Sequence, residues 1–307
     1  MKGLDLAERY FLRFGLPLIR DRYPAYAGRI AAGLVGDGSD CLGFDDEQSR
    51  DHDWGPGFNL WLTAADHQQI GAALQRDYLD LPGHFCGFVR HAGAWGHGRV
   101  GVFEIGDFYK EFIGRPGAPV TLGDWVRIPE KNLAACTSGK VFHDPLGDFS
   151  RIRNQLLGFY PQDVRLAKIA ARCMSAGQSG QYNLRRCSSR GEIFAAQYAE
   201  TKFCADVMSL VYLINHRYAP YYKWLHRGLA GLSCLGGLIH QQIVDLMAAD
   251  AIGDKLSIVD RLCATVIAEL RDERLTDTDS CFLLDHGPVV HEKIADPALR
   301  AMNVWAG

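Results

Sequence analysis

An α+β fold with a helical second half follows from three features of the sequence. Short apolar runs of strand length alternate with helical stretches through the first 147 residues. Gly- and Pro-rich turn signals separate those runs. Beyond about residue 148 the pattern changes to long helical stretches with few β-branched clusters. We therefore read residues 1–147 as a small α/β domain with flanking helices. Residues 148–307 read as an all-helical bundle domain that closes a cleft.

The elements follow in order. Leu4, Leu6, Tyr10, Phe11, Phe14, Leu16 and Leu18 recur at helical spacing up to Pro24. Residues 29–35 read as a strand running into the turn Gly36-Asp37-Gly38-Ser39. Residues 58–62 alternate as a second strand, and 64–78 form a helix that ends before Pro82. Further strands are expected at 85–90 and 99–105, and a short one at 139–145 is closed by a Pro turn. Helices are then expected near 148–158, 162–182, 190–217, 220–250 and 254–273. Gly177, Gly180, Ser188, Ser189 and Gly191 punctuate them. Residues 281–284 read as a strand, with a short helix after it. No internal repeat is present.

Composition excludes several classes. Apolar residues make up 48% and aromatics 11%, enough for a sizeable core and against large-scale disorder. The 33 basic and 36 acidic residues give a net charge of −3, unlike a protein that coats nucleic acid. Nine cysteines include no C-x-x-C pair, so they read as reduced, mostly core thiols of a cytoplasmic protein. His84 and Cys86 alone do not make a zinc site. The charged first 24 residues read as an amphipathic helix rather than a signal peptide. The most apolar later stretch, 228–239, is too short to cross a bilayer. No P-loop is present, and Cys187, Ser188 and Ser189 lack the surroundings of a catalytic nucleophile.

The chemistry points to one segment. Asp51 and Asp53 are separated by one residue, so an extended chain projects both from one face. Neighbouring carboxylates repel unless a cation lies between them, and hard oxygen ligands suit Mg²⁺. The Gly-Ser turn upstream has the composition of a phosphate cradle, since glycine lets the backbone come close. The plain alternative is a pair of loop carboxylates. His52 points to the opposite face and reads as structural. Asp45, Asp46 and Glu47 read as a solvated loop; recognition of a cationic acceptor is the alternative.

Strand, Gly-Ser turn and Asp-x-Asp at this spacing resemble the nucleotidyltransferase superfamily signature shared with DNA polymerase beta. Residues 35–47 and 49–56 narrow the resemblance to an uncharacterised bacterial nucleotidyltransferase-like family. Asp124-Trp125 to Pro129-Glu130 and the run 217–224 are similar to it as well, so the likeness spans about 30–225. It implies a mixed-sheet nucleotidyltransferase fold. Gly38 and Ser39 would bind the triphosphate, and Asp51 and Asp53 would hold the metals. A third carboxylate, acting as ligand or base, would be Glu104 first or Asp144 second. Lys223 would reach the triphosphate, with Tyr218 and Tyr221 stacking on base or acceptor; otherwise Pro220 simply opens a helix with an aromatic core face.

The expected reaction is two-metal, Mg²⁺-dependent transfer of a nucleoside monophosphate, AMP from ATP, to an acceptor hydroxyl. The acceptor would be a small molecule rather than a protein or a polynucleotide, with no membrane partner. A different class competes with it: a catalytically degenerate nucleotide-binding regulator or protein-partner module of the same fold.

Overall fold

The computed structural model describes residues 1–50, 53–90 and 98–307. Contacts divide the chain into two units, residues 1–119 with 132–158, and residues 120–131 with 159–307.

Among the described residues the first unit has six short strands: β1 Ala31–Leu34, β2 Asn59–Leu62, β3 His84–Phe85, β4 Phe88–Val89, β5 Gly101–Glu104 and β6 Lys140–His143. Four form a mixed sheet in the order β5-β2-β1-β6. β1 is antiparallel to β2 and β6, and β2 is parallel to β5. Every residue of β1 and β2 is buried, so these central strands are covered on both faces.

Strand alternation sorts the core into two layers. Leu60 and Leu62 face Tyr10 and Phe11 of the N-terminal helical segment 3–22, together with Leu74 and Tyr78 of the helical segment 64–79. Trp61 points the other way, stacked on Phe149 with ring centroids 3.8 Å apart and edge-on to Phe108 at 5.4 Å. Gly33 is required by the sheet itself. A Cβ there would lie 2.5 Å from the Lys140 carbonyl oxygen, so a side chain would hold β6 off β1.

Several expectations are corrected. The strand expected at 85–90 is the β3–β4 hairpin, because Cys86 and Gly87 have φ of 52° and 81° and turn the chain back. Residues 281–284 do not form a strand; Leu283 opens the helix Leu283–Glu292, and its N–H donates to Gln181 Oε1 at 2.8 Å. The single helix expected at 220–250 is two, Tyr222–Leu229 and Gly236–Ala248, separated by a turn that ends at Leu235 with φ 59°. Gly177 and Gly180 do not break the helical segment 162–189, which runs through them. A Cβ on Gly177 would lie 2.5 Å from Leu284 N, and one on Gly180 would collide with the Phe203 ring. These glycines serve close helix packing.

Three helices not expected from the sequence are Ile105–Ile113, Leu122–Arg127 and Glu130–Thr137. The first is capped by Glu104, whose carboxylate accepts from Gly106 and Asp107 N–H at 2.8 and 2.7 Å. The second begins with a capping box between Thr121 and Asp124 and places Trp125 against Tyr160. That contact lies within the second unit, a bundle led by the helix Ile193–Ile214 and the segment 162–189. The contact border falls after Gly158 rather than at 147, since Phe149 and Leu156 of the helix Asp148–Leu157 are buried and Phe149 stacks on Trp61. Among the described residues no helix is long and apolar enough to cross a membrane. All nine cysteines are free; Cys41, Cys136, Cys173, Cys204 and Cys263 are buried.

Phe149→Ala removes the ring that Trp61, Phe108 and Tyr109 pack against. The expected loss is about 3–5 kcal/mol of stability, read from the urea midpoint of the first unit's transition.

Candidate functional site

Sheet register brings three chain segments to one end. Gly33 lies opposite Asn59, and Asn59 lies opposite Gly101. The turn after β1 therefore meets the chain entering β2 and the chain entering β5. Asn59, fully buried, ties them together. Its Oδ1 accepts from Val35 N–H at 3.1 Å, and its Nδ2 donates to the Arg99 carbonyl at 2.8 Å.

Arg99 fills the centre of this junction. Its Nε donates to the Asp37 carbonyl at 2.8 Å, and its two Nη groups donate to the Asp53 carbonyl and the Asp40 carboxylate. Asp40 is only 3% exposed. Burial works against the charge on Arg99, but Asp40 and Cys41 beside it outweigh burial and hold its pKa above the ordinary value. The Cys41 thiol is pushed up to about 12, first by burial and then by the Asp40 carboxylate.

Backbone conformation and, at Gly38, this arginine require the glycines of the turn. Gly36 and Gly38 have φ of 131° and 133°, a region that side chains rarely enter. A Cβ on Gly38 would also collide with the Arg99 guanidinium. Further on, the turn is closed by Phe44 N–H to the Ser39 carbonyl at 2.7 Å and Gly43 N–H to the Asp40 carbonyl at 3.0 Å. None of the N–H groups of residues 36–40 has a hydrogen-bond acceptor among the described residues. Free backbone N–H groups in a glycine turn are donors available to an anion. The cavity bordered by Asp40, Asp53–Gly57 and Arg99 is about 40 Å³, room for water rather than for a nucleotide, so a larger ligand would sit outside it.

The candidate residues are placed as follows. Gly38 and Ser39 lie in the turn. Asp53 borders the same cavity and has a left-handed φ of 51°, its carbonyl held by Arg99. Asp51 lies outside the described residues, and so does His52. Glu104 pairs with Leu62 at the far end of β5, three residues and about 10 Å beyond Gly101. Asp144 follows β6 at that same far end, because Lys140 lies opposite Leu34 and His143 opposite Ala32.

Both candidate third carboxylates are occupied by helix termini. Glu104 caps Ile105–Ile113, as described above. Asp144 accepts from Gly147 and Ser150 N–H at 3.0 and 2.8 Å, where Asp148–Leu157 begins. Among the described residues no group of three His, Cys, Asp or Glu side chains is placed to hold a metal ion. Arg99, a cation, stands at the entry to β5 beside the turn.

Lys223, Tyr218 and Tyr221 belong to the second unit. Lys223 Nζ lies 5.1 Å from the Trp224 ring centroid. Tyr218 packs between Phe159 and Tyr160 at 4.9 and 5.0 Å, and Tyr221 leans on Tyr222 at 4.3 Å. The acidic run 45–47 is not simply a solvated loop. Asp45 is buried and accepts from Gly3 N–H at 2.8 Å and Trp54 Nε1 at 3.1 Å, so it anchors the first turn of the N-terminal helix. Sequence reasoning missed Asp40, Asn59 and Arg99. A basic residue just ahead of an apolar strand, two positions before a glycine, was the available signal.

Arg99→Met leaves Asp40 as a buried, uncompensated charge. It should cost about 3–5 kcal/mol in urea unfolding, and the Arg99→Met/Asp40→Asn double variant should recover part of that loss.

Comparison with known proteins adds two likenesses. Residues 125–225 match a family described as a domain of unknown function, DUF4037. Among solved structures the chain is similar to a nucleotidyltransferase-like protein from Exiguobacterium sibiricum 255-15, at 12% identity and a TM-score of 0.36. That similarity covers 87% of this chain and 76% of the other. No functionally curated protein matches.

Proposed function

We propose that the first unit is a nucleotide-binding module that holds phosphate groups at the turn 36–40 without two-metal catalysis. The observation that carries this reading is the run of unpaired N–H groups at the end of β1, backed by the Arg99 guanidinium. The backbone donors supply the positive potential that a phosphate needs, and Arg99 holds the turn that carries them. The resemblance of the Gly-Ser turn and the Asp51–Asp53 segment to the nucleotidyltransferase signature supports a nucleoside triphosphate as the ligand. A regulator, rather than a transferase, is favoured by the placement of Glu104 and Asp144 at the other end of the sheet and by their capping bonds.

Asp40 sets the electrostatic balance of the module. It is neutralised by Arg99, so it does not repel an incoming phosphate as a bare carboxylate would. The phosphates would lie against the outer side of the turn, where Asp37 is exposed and Gly38 and Ser39 are half-buried.

Thermal melting with ATP, GTP, CTP or UTP tests the proposal, each with Mg²⁺ and with EDTA. One nucleotide at about 100 times its dissociation constant should stabilise by roughly 2.7 kcal/mol in either buffer, with no pyrophosphate released. A shift that requires Mg²⁺ and disappears in Asp51→Asn/Asp53→Asn, or measurable pyrophosphate release, would establish the transferase reading instead. No shift with any nucleotide removes both.

A further inference from the structure

The second unit contains an open cleft of about 440 Å³, within the usual size range of small-molecule sites. Every lining residue other than Gly307 falls inside the segment 125–225 that matches the DUF4037 family. Its charged lining comprises Arg127, Lys131, Lys168 and Arg172 against Glu130 and Asp206, four cations to two carboxylates.

The two carboxylates already have partners. Glu130 accepts from Ser209 Oγ at 3.0 Å and from Arg172 Nη2 at 3.1 Å. Asp206 accepts from Ser175 Oγ at 2.6 Å and from Lys202 Nζ at 2.9 Å. Lys168 is in a different position. It is 3% exposed, yet its ammonium group makes one long hydrogen bond, 3.4 Å to the Val126 carbonyl, and otherwise lies 5.2 Å from the Tyr160 ring centroid. An ammonium group has three donors to satisfy, and a buried charge left short of acceptors is costly. Burial, the largest influence, lowers its pKa; the Glu130 carboxylate works against that shift and the Arg172 cation adds to it.

We propose that this cleft is a binding site for an organic phosphate, with Lys168 as its principal phosphate ligand. The surplus of cationic over carboxylate side chains in the lining suits a phosphate monoester, which carries about −1.5 to −2 at neutral pH. Lysine suits a phosphate as a compact point charge, while the Arg172 fork is already engaged by Glu130 and Ser209. The remaining wall is apolar and aromatic, formed by Ile128, Pro220, Leu225 and Tyr222. Tyr222 is 75% exposed and offers its ring to a planar organic group. The site does not rest on the reading of the turn 36–40.

Phenyl phosphate, inorganic phosphate and benzoate are the probes, titrated calorimetrically into the full chain. Phenyl phosphate should bind one to one and more tightly than either of the others. Lys168→Met should weaken that binding by about 10- to 100-fold, while Lys168→Arg keeps most of it. Removal of a buried charge should leave the melting temperature of Lys168→Met equal to or above wild type, which separates lost binding from lost folding. Tyr222→Ala, at an exposed position, should bring phenyl phosphate down to the affinity of inorganic phosphate. Equal binding of phenyl phosphate by wild type and Lys168→Met, or no binding by wild type, overturns the proposal. Failure of ATP to stabilise the protein leaves it standing.

Discussion

The ion pair between Arg99 and Asp40 is the constraint on which the first unit's organisation depends. It joins the turn that leaves β1 to the chain that enters β5, two segments separated by β2 in the sheet. Buried pairs of this kind contribute little net stability compared with an apolar substitute, but they are demanding about geometry. Here the demand has visible consequences. Gly38 has no side chain because the guanidinium occupies that space, and Asp53 holds a left-handed φ while its carbonyl accepts from Arg99. Asn59, between them, satisfies the two backbone groups that the junction would otherwise strand.

Much of the fold was legible because hydrophobic pattern and turn chemistry agreed. The central strands β1 and β2 are short apolar runs bounded by glycine and proline, and they lie where those runs predict them. Other elements were obscured for identifiable reasons. Residues 281–284 carry apolar side chains that suit a strand, but Gln181 and Ser280 supply bonds that start a helix there. Gly177 and Gly180 look like breaks in isolation. They are contact points for Leu284 and Phe203, partners about a hundred and two dozen positions away in the chain, which local pattern cannot reveal.

The candidate site was legible at the turn and illegible beyond it. Glu104 is a carboxylate at the end of an apolar strand, and such a group needs a partner. Its partner is the N-terminus of the next helix, supplied by two backbone N–H groups. Asp144 repeats the pattern at the helix Asp148–Leu157. An unexpected helix thus changes the meaning of the acidic residue before it. Capping and metal binding draw on the same residue types, and only strand register separates them here. Glu104 and Asp144 fall at one end of the sheet, while the glycine turn and Asp53 fall at the other.

The two units place positive charge in different ways, which bears on what each can bind. At the turn 36–40 the cation is paired and its donors are engaged, so an anion meets backbone N–H groups whose positions are already set. Such a site is preorganised and gives up little freedom on binding. In the helical cleft, by contrast, Lys168 is buried with only one long hydrogen bond and a ring for company. An anion arriving there completes an unsatisfied group. It therefore gains more than a surface contact would, since the charge interaction forms away from bulk water. Arg172, Lys202 and two serines engage the neighbouring carboxylates, so among the described residues the Lys168 ammonium is left with the Val126 carbonyl as its hydrogen-bond acceptor and has donors to spare for an anion.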